Sequence, residues 1–262
     1  MKKFLALVLV LLMTVFCFAG CGESSEVADV DYITEKGTLV VGITDFEPMD
    51  YKDADGNWIG FDADMATAFA ESLGVKAKFV EIDWDNKVLE LDGKNIDCVW
   101  NGMTLTDEVK SAMATSNAYF NNAQVIIVKK DVAEKYATAD ACKELTFAVE
   151  AGSAGKDMAV ENGFKYTEVK DQATTLSEVK AGTSDAAIID YLMASAMVGE
   201  GTGYADLTYT ASLNSEEYGV GFRKGSDLAE KLNEFFVKAY ADGTMKATAE
   251  KYKIADKLIE QK

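Results

Sequence analysis

Leu39-Val40-Val41-Gly42-Ile43 is an apolar run with no polar alternation. That is the pattern of a parallel strand covered on both faces rather than of a strand with one wet side. It leads into a loop holding Pro48, the only proline of the chain. Residues 62–73 then read as a helix, with Met65, Ala66, Phe69 and Leu73 on one face and Gly74 just past the end. Asp62 is expected to cap it. Further strands are expected over 76–82 and 96–100, then over 124–128, 146–149 and 186–189, with helical stretches near 155–163 and 174–181. A late strand over 218–222 is followed by an amphipathic helix from Asp227 to near Gly243, with Leu228, Leu232, Phe235 and Phe236 aligned. Strands alternating with helices predict an α/β fold with mainly parallel sheets.

The N-terminus carries an address. Lys2 and Lys3 precede an almost unbroken apolar stretch from Phe4 to Phe16, and Phe18-Ala19-Gly20-Cys21 puts small residues just before a cysteine. The stretch is shorter than the ~18–20 residues that span a bilayer, so residues 1–20 are expected to be a cleaved lipoprotein signal. Cys21 would then be lipidated, and residues 21–35, small and acidic, would form a tether. This places the protein on the extracellular face of the cell membrane.

Composition excludes several function classes. The formal net charge is −18, a field that repels nucleic acid and favours cationic solutes. There is no histidine, which removes the commonest metal ligand and every nucleophile that relies on a histidine base; no metal site and no cofactor are expected. Of four cysteines, Cys17 would leave with the signal and Cys21 would carry lipid. Cys98, in an apolar run, reads as a buried thiol, and a Cys98–Cys142 bridge stays open as the alternative.

Open α/β sheets bind ligands beyond the carboxyl ends of their strands. The loops at those ends hold Asp45-Phe46-Glu47, Asp83-Trp84-Asp85, Asn101-Gly102-Met103-Thr104, Glu150-Ala151-Gly152-Ser153 and Asp190-Tyr191. Aromatics, carboxylates and glycines recur there, a combination suited to a small zwitterionic or cationic ligand.

At these loops, and in Gly60-Phe61-Asp62-Ala63-Asp64-Met65-Ala66, Asn101-Gly102-Met103-Thr104-Leu105-Thr106-Asp107-Glu108 and Ser184-Asp185-Ala186-Ala187-Ile188-Ile189-Asp190, the chain resembles the extracellular solute-binding proteins of polar amino-acid ABC importers. The resemblance runs over roughly 36–258. It implies a periplasmic-binding-protein-like fold of two lobes joined by two hinge strands, with 36–120 plus 216–262 as one lobe and 121–215 as the other. It also implies a monomer that delivers a small molecule to a membrane permease and does no chemistry on it. Phe46 and Trp84 match the aromatic pair that sandwiches the ligand, Gly102 and Thr104 the positions that contact its α-groups, Ser153 a hydroxyl at a helix N-terminus, and Asp190 the carboxylate that takes the α-ammonium. Glu47, Trp100, Asn101 and Glu150 are further candidates.

Each candidate has a plainer reading: Asp190 as a helix N-cap, Phe46, Trp84 and Trp100 as core aromatics, Glu47 and Glu150 as solvated loop acids. One departure stands out. The resemblance implies an arginine after Glu108 to grip the ligand carboxylate, and Val109 stands there instead; the single arginine, Arg223, belongs to another segment. Either the carboxylate rests on Ser153, Thr104 and backbone N–H groups, or the ligand is a cationic amine without one. A dehydratase-like enzyme on the same fold and a sensor role are the competing functions.

Overall fold

The computed structural model describes residues 28–262; the signal and Cys21 lie outside the described residues. After α1 (Asp29–Lys36), a first sheet is built from β1 (Thr38–Ile43), β4 (Lys76–Glu81), β5 (Cys98–Thr104), β6 (Ala114–Thr115), β7 (Phe120–Asn122) and β13 (Glu216–Phe222). Its order is β4-β1-β5-β13-β6, with β7 also on β13. A second sheet has the order β10-β9-β11-β8-β12, from β8 (Gln124–Lys129), β9 (Thr146–Glu150), β10 (Lys165–Val169), β11 (Ala186–Asp190) and β12 (Leu207–Ser212). A small hairpin pairs β2 (Tyr51–Lys52) with β3 (Trp58–Ile59). This is a two-lobe α/β fold, one sheet to each lobe.

The pairing is parallel where strand–helix–strand units build the sheet, at β4-β1-β5 and at β10-β9-β11. It turns antiparallel at β8 and β13, the strands that carry the chain across. The chain passes from the first sheet to the second at Ala123, between β7 and β8, and returns through residues 213–215 between β12 and β13. The mainly parallel expectation thus holds for half of each sheet and yields at the crossings, where a strand returning directly must run the other way.

The first lobe packs α2 (Phe61–Ser72) and α8 (Leu228–Ala241) on its sheet and α9 (Thr244–Lys251) against those two helices, with Met65, Ala66 and Phe69 buried as the periodicity predicts. The second uses α5 (Ala154–Glu161), α6 (Gln172–Ala181) and α7 (Tyr191–Met197). Every residue of β5 except Thr104 is buried, as its apolar run requires.

Two expectations change. Asp62 does not cap α2: it lies in the first turn, fully buried, and accepts from the Tyr119 hydroxyl at 2.8 Å and from the Gly102 N–H at 2.6 Å. It ties α2 to β5 inside the lobe, and burial lifts its pKa to about 7. β5 runs on to Thr104, because Met103 and Thr104 pair with Gly219 and Tyr218 of β13. Cys98 is the buried thiol its apolar run suggests, and Cys142 is buried and unpaired as well. Arg223 is spent on structure, bonded to Asp29 at 2.9 Å and to the Ile96 carbonyl at 2.8 Å.

Candidate functional site

The carboxyl ends of β4, β5, β9 and β11 converge on one cavity of about 230 Å³, room for a single small solute. Trp84 stands in a 3-10 turn after β4, just before the short helix α3 (Lys87–Asp92). Asn101, Gly102 and Thr104 come from β5, Glu150 and Ser153 from the end of β9 and the turn into α5, and Asp190 from the last position of β11; all seven line the cavity. Phe46, Glu47 and Trp100 are not among its lining residues.

The reasons are local. Phe46 is 2 % exposed and packs edge-on against Tyr218, at 6.3 Å between ring centroids, behind Gly102. Gly102 has φ +56, and a Cβ there would lie 2.6 Å from the Phe46 ring, so the wall is thin at this point only because the residue is glycine. Phe46 therefore backs the wall and does not line the cavity. Trp100 is buried among Phe69 and Phe236 in the first core. Glu47, half-buried beside Asp45, lies on the loop outside.

Several polar groups are already engaged. Asn101 clasps Thr44, accepting from its N–H and donating to its hydroxyl, both at 2.9 Å. The Gly102 N–H goes to Asp62, which leaves Gly102 only its carbonyl for a ligand. The Thr104 hydroxyl donates to Glu216 at 2.9 Å. Ser153 is the N-cap of α5, accepting from the Lys156 N–H at 3.2 Å. Thr106 caps α4 (Asp107–Ala112), and Val109 in that helix contributes an apolar surface to the cavity.

Asp190 stands at the N-cap position of α7, but its side chain makes no capping bond to it. It accepts from the Tyr218 hydroxyl at 2.6 Å, from Asn122 and from Gln172. Donors from β13, β7 and α6 thus hold one carboxylate at the junction of the lobes. Burial, with Glu216 nearby, still raises its pKa to about 8. Glu150 is 2 % exposed, contrary to a solvated loop acid, and its Oε1 has no hydrogen-bond partner among the described residues. Burial pushes its pKa well up, and the charges of Asp190 and Asp171 add to the effect.

The lobes meet at Gly152. It adopts φ +68, and a Cβ there would lie 2.7 Å from the Asp85 Cα and 2.6 Å from its Oδ1. The Lys87 ammonium reaches across to donate to the Gly152 carbonyl at 2.9 Å. Asp85, Lys87, Glu108, Asp157 and Gln172 also line the cavity. Sequence reasoning missed Lys87 and Gln172. Lys87 carried a faint signal, as the one basic residue in an acidic loop; Gln172 carried none, because it reaches the site only through the placement of α6.

The sequence profile of the bacterial extracellular solute-binding proteins, family 3, matches residues 39–255. The L-cystine-binding protein TcyJ of Escherichia coli K12 is 31% identical over 256 residues, covering 96% of this chain and 94% of its own. The arginine-binding extracellular protein ArtP of Bacillus subtilis is 28% identical over 264 residues, covering 98% and 100%. A solved ABC uptake transporter substrate binding protein from Streptococcus pneumoniae with bound histidine aligns with a TM-score of 0.79 at 30% identity, over 86% of this chain and 96% of that one.

Proposed function

We infer that this chain, which belongs to the bacterial extracellular solute-binding proteins of family 3, captures a polar amino acid in the cavity between its lobes for an ABC importer. The observation that carries the reading is the pair of buried carboxylates at the cavity floor. Asp190 is held by three side-chain donors, and Glu150 is buried with a free oxygen. Buried acids are costly unless a cation joins them. An α-ammonium is such a cation, and Asp190 receives it.

The cavity wall carries Asp85, Glu108, Glu150, Asp157 and Asp190 against Lys87 and Lys156. That excess of acids favours an amino acid with a second cationic group: arginine, lysine, ornithine, histidine in its charged form, or cystine with its second ammonium. Glu150 is placed to take that group, Trp84 to cover the side chain, and Thr104, Ser153 and the Gly102 carbonyl to complete the polar contacts. Asn101 acts through Thr44, and Phe46 from behind the wall. The same acid excess disfavours the dicarboxylate substrate that a dehydratase reading needs.

The lobes are assigned as 36–120 plus 216–262 and 121–215, swinging about the crossings at Ala123 and 213–215 and closing on the solute. The protein is assigned as a monomer, tethered through Cys21 after loss of residues 1–20, with an ABC permease as its partner. The relatives' names, all of binding proteins, support a role without catalysis.

The test is a thermal-shift screen of residues 22–262 against the twenty amino acids, ornithine and cystine. A ligand that binds only the folded state stabilises it by about 2.7 kcal/mol at a hundredfold excess over Kd. The expected shifts are confined to amino acids with a second cationic group. A larger shift with glutamate or aspartate would contradict the assignment.

A further inference from the structure

We propose that Lys87 holds the α-carboxylate of the bound amino acid; this rests on the amino-acid reading above. A zwitterion whose ammonium sits on Asp190 also needs a positive partner for its carboxylate. Arg223 is committed to Asp29 and does not line the cavity. Two lysines do, Lys87 and Lys156. Lys156 is paired with Glu168 at 2.9 Å. Lys87 has no carboxylate within ion-pair distance among the described residues. Its ammonium donates instead to two neutral carbonyls, Trp84 at 3.2 Å and Gly152 at 2.9 Å. Of three donors, one is left over; Glu150, Glu108, Asp85 and Asp157 lie near enough to act on the charge, but none is paired with it.

On the side of α5, its surroundings fit an anion. Lys87 reaches the turn that opens α5, where Ser153 and Ala154 line the cavity. The first N–H groups of a helix lack partners within it and favour negative charge. Lys87 itself is the first residue of α3, where a cation opposes the helix dipole. A local rule broken at a cavity wall marks a residue placed for function more than for stability. Lys87 comes from the first lobe and Gly152 from the second, so a carboxylate seated between Lys87 and the α5 N-terminus would touch both lobes. Binding would then require the α-carboxylate as well as the ammonium.

The experiment compares amino acids with the amines that lack only the carboxylate: arginine with agmatine, lysine with cadaverine, histidine with histamine. Calorimetric affinities are measured for the wild type, Lys87→Met and Lys87→Arg, with the unliganded melting temperature of each variant as a check on folding. The wild type is expected to prefer an amino acid over its amine by on the order of ten- to a hundredfold, the scale of one charge-assisted contact. Lys87→Met should abolish that preference by weakening the amino acid alone, and Lys87→Arg should keep most of it. Equal weakening of both partners by Lys87→Met would overturn the proposal and leave Lys87 a link between the lobes. A wild type that binds amine and amino acid equally would overturn it too, and would favour a ligand without a carboxylate. If none of the three amino acids binds while another, such as glutamate, does, the reading beneath the proposal falls and the proposal falls with it.

Discussion

Asp50 and Asp62 in the first lobe, and Glu150 and Asp190 in the second, are all almost fully buried, and burial is the main cause of the raised pKa of each. Their surroundings separate them. Asp62 is closed over by the Tyr119 hydroxyl and the Gly102 N–H, with Asp50 beside it in a sealed interior. Asp190 and Glu150 look into a cavity. A perturbed acid is therefore not by itself a site; in the first pair Asp62 fastens α2 to β5, and the second pair has an opening through which a cation can arrive.

The largest effect is expected at Asp190. Asp190→Asn should leave the fold intact, since the amide keeps the oxygen to which Tyr218 and Asn122 donate, and should weaken amino-acid binding by roughly a hundredfold or more, the cost of losing one member of a buried charge pair. Calorimetry on the variant checks it, and unchanged affinity would remove Asp190 from the site. Next in size is Gly152→Ala. Its Cβ meets the backbone of Asp85 at a positive φ, so the lobes should fail to meet fully, and affinity should fall on the order of tenfold or more. Small-angle scattering should show a more open form in the presence of ligand.

Glu150→Gln sharpens the contrast within the cavity. It removes a charge that the side chain of a basic ligand would meet, so arginine or lysine should weaken about tenfold while glutamine weakens less or gains. A uniform loss across ligands would place Glu150 with Asp62, as a structural acid. The pH dependence follows from Asp190. Its folded pKa, about 8, lies above its ordinary value, so the empty protein holds an extra proton there at neutral pH. That contribution to stability is full below the ordinary aspartate range and is lost as pH rises through about 8. An ammonium binds the ionised form, so binding should release a proton and strengthen by at most about tenfold per unit as pH rises from 6 towards 8. Titrations in buffers of different ionisation heat count that proton. The smallest effect on binding belongs to Asp62→Asn, which keeps an acceptor for Gly102: affinity should stay within about twofold while thermal stability changes.

The sequence made the scaffold legible where burial is two-sided. The 39–43, 124–128 and 186–189 runs are strands because no alternation interrupts them, and residues 61–72 are helical with the expected face inward. It was less legible where strands pair antiparallel, because β13 gives β5 four more residues than its apolar run suggested. At the site, Trp84, Ser153 and Asp190 were visible as residues at strand ends. Phe46 and Trp100 were not separable from them, since an aromatic beside a strand end can face either the core or the cavity. Glu150 looked like a loop acid and is the buried last residue of β9, held in the strand by its pairing with Val169 of β10. Lys87 and Gln172 enter through tertiary placement alone.

The central claim is that the two acids at the cavity floor receive the cationic groups of one amino acid. A crystal structure with arginine, or with whichever amino acid gives the largest thermal shift, tests it most directly. The α-ammonium is expected against Asp190, the second cationic group towards Glu150 and the lobes closed around Trp84. A ligand seated with its carboxylate towards Asp190, or bound outside this cavity, would contradict it.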